Sequence, residues 1–327
     1  MLTYSIAIRT LGTAGEKFLA ELRSIASQTV QPEKVVVYIA EGYSRPGFTV
    51  GKEEYVWVKK GMMSQRVLPY DEITSDCVLM LDDDVCLAPD SAAKLLQAME
   101  ENGADCVGPD VFKNQDMPFR MKVKAVVSDL VFPHFSGKWA YKVRRDGSFS
   151  YNHRPEPRYY LSQSCAGPAQ LWKKQSFKDL RLEEELWLDS LEFPFAEDRL
   201  MTYKLHLGGG KLGVLYDSGV KNLDAGSSSS SFKKSPDRIR VRTLASYMTW
   251  WRMCYRYGGD TVGSRFAASF AFGFKSLWLL LVMTVLAIVR LDFKVLTSYI
   301  KGWMEGRNRC RSGFFDGLAP YRLNRNE

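Results

Sequence analysis

The chain has 327 residues, is 46% hydrophobic and 25% charged, and carries a net charge of +8 with a pI near 9.0. This composition excludes a disordered chain and leaves room for one large domain or two modest ones. The positive charge suits nucleic acid, an anionic membrane or a phosphorylated substrate, but the basic residues are spread widely and form no zinc-finger, RRM or KH pattern, so nucleic acid is not an expected partner.

The six cysteines (Cys77, Cys86, Cys106, Cys165, Cys254, Cys310) form no C-x-x-C pair, and there are only three histidines, so a zinc site is not expected. The cysteines read as small buried hydrophobes with free thiols, which fits a reducing cytoplasm. The opening "MLTYSIAIRTLG" is too short for a signal peptide and reads as a first strand, Thr3–Thr10.

"EKFLAELRSIASQ" follows with Phe18, Leu19, Leu22, Ile25 and Ala26 at helical spacing. Val35–Ala40 is an almost wholly apolar strand, as in parallel sheets covered on both faces. "EYVWVKK" gives a third strand and "CVLML" a fourth. "PDSAAKLLQAMEENG" is a helix that starts at Pro89 and Asp90 and stops at Gly103. "ADCVGPDVF" is a fifth strand. The order predicts an α/β fold with a mainly parallel central sheet.

Lys113–Tyr160 is polar, aromatic and irregular, and reads as an insertion or substrate-facing region. "SCAGPAQLWKKQSF" resumes compact patterning. "FAEDRLMTYKLHLGGG" is a helix with acidic residues at its start, and "KLGVLYDSGVKNLD" a last pair of strands. The expected division is a catalytic domain over 1–226, a flexible Ser-rich linker over 227–237, and a basic, hydrophobic helical region over 238–327.

Asp82, Asp83 and Asp84 end the fourth strand, and ligands of open parallel sheets bind beyond such strand ends. Carboxylate oxygens suit Mg²⁺ or Mn²⁺. The alternative is an acidic turn capping the next helix, which Asp90 could do alone. Glu197 and Asp198 form a second acidic pair, which could equally be a helix cap. Arg66, in "GMMSQR", could pair with a diphosphate or be a solvated surface group. Gly208–Gly210 follows a helix and reads as a turn. His134, His153 and His206 have no metal-ligand spacing.

Taken together, "LRSIASQTVQPEKVVVYIAEG", "GMMSQR", "LMLDDDV", "SCAGPAQLWKK" and "FAEDRLMTYKLHLGGGKLGVLYDSGV", in this order, resemble family 2 glycosyltransferases, inverting enzymes with the GT-A fold. The resemblance covers roughly Tyr4–Gly226. It implies a nucleotide-diphosphate sugar donor and a glycan or lipid-linked acceptor. It implies Mn²⁺ or Mg²⁺ with Asp84 as metal ligand and Asp82 near the ribose or metal. Thr10, Glu41, Arg66, Asp82 and Asp83 fall at nucleotide-sugar-binding positions, with Arg9 beside Thr10. Asp198 falls on the general base, and Glu197 and Asn222 are candidates for metal or acceptor contacts. Asn222 stands where the family often has a metal-binding histidine, a weaker ligand in its place. Two other readings are a sugar-phosphate nucleotidyltransferase, whose glycine-rich basic signature "RTLGTAGEKF" lacks, and an inactive sugar-nucleotide-binding or scaffold protein.

Phe266–Val289 is 24 residues, and a bilayer needs ~20. Gly273 and Lys275 are expected to interrupt it, leaving Ser276–Val289. A single crossing would put Lys294, Lys301, Arg307, Arg309 and Arg311 outside, against the positive-inside tendency. The expectation is therefore a region lying on, or partly inserted into, the cytoplasmic face of the membrane. The alternatives are a buried helix of a soluble accessory domain and a re-entering hairpin.

Overall fold

The computed structural model describes residues 2–111, 139–151, 158–192, 196–223, 237–259 and 261–318. The first four strands are β1 (Tyr4–Thr10), β2 (Val35–Ala40), β3 (Glu53–Val58) and β4 (Cys77–Asp82), all parallel to their neighbours. Every residue of β2 is buried, as its unbroken apolar run requires. Ile6, Ile8, Val37 and Leu79 face one side of the sheet, while Ala7, Val36, Tyr38 and Met80 face the other. Helix α1 (Glu16–Ala26) covers the first side with Phe18, Leu22 and Ile25. Helix α2 (Ser91–Asn102) adds Leu95, Leu96 and Met99, and ends at Gly103, which takes the left-handed conformation of a C-terminal stop. Asp90 sits at the start of α2 without a capping bond, and its carboxylate pairs with Lys94 at 2.8 Å instead.

The sheet continues beyond β4 in a way the sequence does not reveal. Its order is β3-β2-β1-β4-β10-β6-β11-β9, where β6 is Cys106–Pro109, β9 Tyr159–Leu161, β10 Ala169–Lys173 and β11 Leu212–Leu215. Strand β10 inserts antiparallel between β4 and β6, and β9 closes the edge antiparallel to β11. Two small ribbons complete the strands. One pairs β5 (Val85–Leu87) with β12 (Val220–Asn222), the other β7 (Tyr141–Val143) with β8 (Phe149–Tyr151).

The remaining helices are α3 (Lys174–Asp179), a 3-10 helix (Leu182–Ser190), α4 (Glu197–Leu207), α5 (Arg238–Trp250), a π-helical turn (Trp251–Tyr257), α6 (Val262–Arg290) and α7 (Lys294–Arg311). Leu244, Met248, Met253, Phe272 and Phe315 join the same core as Val36 and Met80, so the hydrophobic interior runs without a break into the C-terminal helices. A fully buried ion pair reinforces that junction. Arg252 donates to Glu185 from Nε at 2.9 Å and from Nη2 at 2.5 Å, and Lys204 of α4 lies 3.4 Å from Glu185 and 3.1 Å from Glu184.

Helix α6 is continuous through Gly273 and Lys275, against the interruption expected there. The lysine stem carries its charge sideways to Asp146, whose carboxylate lies 3.6 Å away. α6 is long and apolar enough to cross a membrane, and only 11% of its most apolar window is buried. His206 packs on Tyr203 and meets Gln163 at 3.1 Å, a structural setting. All six cysteines are free. His134, His153, most of Lys113–Tyr160, and the Ser-rich stretch apart from Asp237 lie outside the described residues.

Candidate active site

Parallel pairing brings Thr10, Glu41 and Asp82 to one end of the sheet. Arg9 of β1 lies opposite Asp82 of β4, and the two form an ion pair. The Thr10 hydroxyl donates to Asp83 at 2.5 Å and accepts from the Gly12 amide at 2.7 Å. Burial raises the Asp83 carboxyl above its ordinary 3.8. The neighbouring Asp84 adds to the rise, and the Thr10 bond opposes it. Glu41 is exposed just after β2, with its amide bonded to the Val58 carbonyl at 2.8 Å.

The turn after Asp82 is fastened from two sides. The Asp84 carbonyl accepts from the Leu223 amide at 2.7 Å, and Asn222 pairs in register with Val85. The β5–β12 ribbon therefore carries Asn222 to the acidic turn, where the resemblance placed it. From below, Ser24 of α1 accepts from the Leu87 amide at 3.1 Å, and Gln28 donates to the Ala88 carbonyl at 2.7 Å. Glu21, on the same helix, is fully buried, and neither carboxylate oxygen has a hydrogen-bond partner. Burial pushes its carboxyl well above the ordinary value, and Asp83 and Asp84 push it further. The sequence reading missed Glu21. A signal was available: a carboxylate within the apolar face Phe18–Leu22–Ile25.

The second half of the site is built by β10. Its antiparallel register lets the Pro168 carbonyl accept from the Asp82 amide at 2.9 Å, which sets Gly167 beside the strand end. The Gly167 carbonyl accepts from Arg9 at 3.3 Å and from Arg66 at 3.2 Å. Arg66 is buried, not a solvated surface group, and pairs with Glu197 at 2.9 Å. Its turn is held by Asp189, which accepts from the amides of Met63 at 2.8 Å and Ser64 at 2.7 Å. Asp198, next along α4, lies beside Gly167 as Arg66 does: a Cβ there would be 3.0 Å from the Arg66 guanidinium and 3.2 Å from the Asp198 Cβ.

Ala196, which precedes the acidic pair, has a φ of 66°, a left-handed conformation unfavourable for alanine. Such strain marks places where the chain must aim a side chain. The carboxylate of half-buried Asp198 accepts from its neighbour's amide, that of Arg199, at 2.7 Å, and its carbonyl accepts from the Thr202 hydroxyl at 2.7 Å. Burial, then the Glu197 charge, raises its carboxyl above 3.8, while Arg66 and Arg199 draw it back. A raised carboxyl is a better proton acceptor near neutral pH.

Among the described residues, no group of three or more His, Cys, Asp or Glu side chains is placed to hold a metal ion. Asp84 in the turn and Asn222 on the strand paired with β5 are the donors that the resemblance points to, beside Asp82 and Asp83, which meet Arg9 and Thr10. Oxygen donors of this kind fit a hard divalent cation, which can use one carboxylate and draw its other ligands from phosphates and water. The crowding of Asp83, Asp84 and the unpartnered Glu21 is the charge pattern such a cation would relieve.

Residues 57–165 match the profile of glycosyl transferase family 2, a stretch from β3 through the acidic turn to the residue before Ala166 and Gly167. Among solved structures, the chain is similar to the crystal structure of GalNAc-T7 with UDP, GalNAc and Mn²⁺. The identity is 15% and the TM-score 0.50, over 83% of this chain and 54% of that one. This chain thus spans about half the length of that relative. The crystal structure of S. aureus TarS 1-349 is 13% identical with a TM-score of 0.48, over 100% of this chain and 98% of that one. No curated protein matches the chain. The matched segment carries the acidic turn, and the mixed α/β sheet, mostly parallel, has the layout of the GT-A fold, so the chain shares that fold and resembles family 2 glycosyltransferases over residues 57–165.

Proposed function

We propose that this protein transfers a sugar from a nucleotide-diphosphate sugar to an acceptor hydroxyl, with inversion and with Asp198 as general base. The supporting observation is the convergence of the strand-end acids, Arg66 and Asp198 around Gly167. Thr10, Glu41, Arg66, Asp82 and Asp83 line the donor side in this reading. Asp84, with Asn222 or Glu197 as a further contact, would hold Mn²⁺ or Mg²⁺. A bound cation supplies charge neutralisation for the departing diphosphate. Arg66 and Arg9 orient the donor from the Gly167 side, and Asp198 takes the proton from the acceptor hydroxyl on the face opposite the leaving group.

The catalytic unit is read as 1–226, followed by a linker over 227–237 and a membrane-associating region over 238–327 at the cytoplasmic face of the membrane. A lipid-linked acceptor is favoured over a soluble glycan by one chain of contacts. Arg199, next to Asp198, donates to the Gly147 carbonyl, and the preceding Asp146 pairs with Lys275 of α6. The base is one loop away from the most apolar helix of the protein. A thermal-shift screen of nucleotide sugars, with and without Mn²⁺, tests the reading. A stabilising nucleotide sugar whose effect grows with Mn²⁺ supports it, and no stabilisation by any of them contradicts it.

A further inference from the structure

The largest surface feature that the proposed transfer does not use is the outer face of α6. Phe266, Phe270, Leu277, Leu281, Val285 and Ile288 are each between 52% and 71% exposed. At 3.6 residues per turn these six fall within an arc of about 100°. The buried residues of the helix, Ala268, Ala271, Phe272 and Ala287, point the other way, into the protein. The stripe is about 33 Å long by the helical rise, a larger continuous apolar surface than soluble monomers usually leave open.

Charge indicates what covers it. Arg265, Arg290, Lys294, Lys301, Arg309 and Arg311, on α6 and α7, are all exposed. Exposed cations at the two ends of α6 and along α7, which packs on it, suit an anionic lipid surface.

Anchoring indicates how the helix sits there. Phe272 stacks on Trp250 with ring centroids 4.0 Å apart, and Lys275 donates to the Asp146 carbonyl at 3.1 Å. From α7, Tyr299 and Trp303 donate to Ser276 at 3.0 and 3.3 Å. The helix is thus fixed to the catalytic body at its middle. From Ser276 to Arg290 it rises only about 22 Å, short of the ~30 Å hydrocarbon core.

We infer that α6 lies in the plane of an anionic bilayer, with this stripe in the acyl boundary and the catalytic body resting on the same surface, and that it does not cross. This seating rests on the membrane reading given above and decides its mode. The test uses the full chain with vesicles of phosphatidylcholine alone or of equimolar phosphatidylcholine and phosphatidylglycerol. Binding to the anionic vesicles should be at least about tenfold tighter, as several surface cations near anionic lipid imply. Leu277→Glu combined with Leu281→Glu should lose most binding to both vesicles at an unchanged melting temperature, because both side chains are exposed. Protease added outside should still cleave α7 in the bound protein. A protected C-terminal fragment would overturn the in-plane seating alone. Absence of binding, wild-type binding by the stripe variant, or a stripe-dependent dimer in buffer would overturn the lipid surface itself. None of these readouts needs a sugar nucleotide, so failure of the transferase reading would leave them standing.

Discussion

Arg66 and Asp198 both crowd the point where a side chain at Gly167 would begin. A Cβ at position 167 would lie 3.0 Å from the Arg66 guanidinium and 3.2 Å from the Asp198 Cβ. The glycine therefore leaves space that the arginine and the carboxylate both border. Gly167→Ala is expected to push them apart. The strain should cost about 1–3 kcal/mol of stability, and transfer should fall more than donor binding. Denaturant unfolding together with steady-state kinetics checks both parts.

Asp84→Ala is expected to reduce transfer by roughly 10²–10³, the usual loss when one preorganised electrostatic group is removed from a site. The melting temperature should hardly change, because the backbone bond from Leu223 to Asp84, which fastens the turn, survives the substitution. Mn²⁺ titration of nucleotide binding is the measurement. An unchanged Mn²⁺ dependence would remove Asp84 from the metal role.

The Asp198 carboxyl makes a prediction about stability as well as rate. Its folded-state value is raised above 3.8 by burial and by Glu197. A raised carboxyl favours folding most at low pH, and that contribution is lost as pH climbs from 3.8 through the raised value. Asp198→Asn escapes the loss. The variant should therefore gain in melting temperature relative to the parent as pH rises from about 4 to 7, a range bounded by the ordinary carboxylate value. A constant difference across that range would mean that Asp198 carries no raised value.

Arg252→Met should cost about 3–5 kcal/mol, because it removes the guanidinium that pairs with the fully buried Glu185. Replacing both partners, with Arg252→Met and Glu185→Leu, should cost clearly less. Chemical denaturation of the two variants makes the comparison. By the same reasoning, removing everything after Ser231 should destabilise the remaining domain, since Met248, Met253 and Phe272 leave its core along with Arg252.

Much of the fold was legible in the sequence where a segment is long enough to display a period. The unbroken apolar run of β2, the 3.6-residue spacing of α1 and the Gly103 stop of α2 are local signals, and each element stands where its signal lies. Strand β5 was not legible because three residues cannot establish an alternation, whereas β12 stands within the last pair of strands expected. The antiparallel insertion of β10 is decided by tertiary pairing, which no local pattern encodes. Within the candidate site, Asp82–Asp84 and Glu197–Asp198 were visible as unusual acidic groups. The burial of Arg66 was not, because it depends on which chain segments close over it, whereas Glu21 stood in plain view on the apolar face of α1. Lys275 looked like a break in an apolar helix, and the structure instead gives it Asp146 as a partner from a distant loop.

The central claim is that Asp198 accepts the acceptor's proton, and the most direct test is to separate donor binding from sugar transfer in Asp198→Asn. Asparagine keeps the size of the side chain and cannot take a proton. With the nucleotide sugar selected by thermal shift, donor affinity should stay within about threefold of the parent, while the rate of sugar transfer falls by roughly 10²–10⁴. Transfer at the parental rate would contradict the account outright, and an equal loss of binding and rate would reassign Asp198 to holding the start of α4.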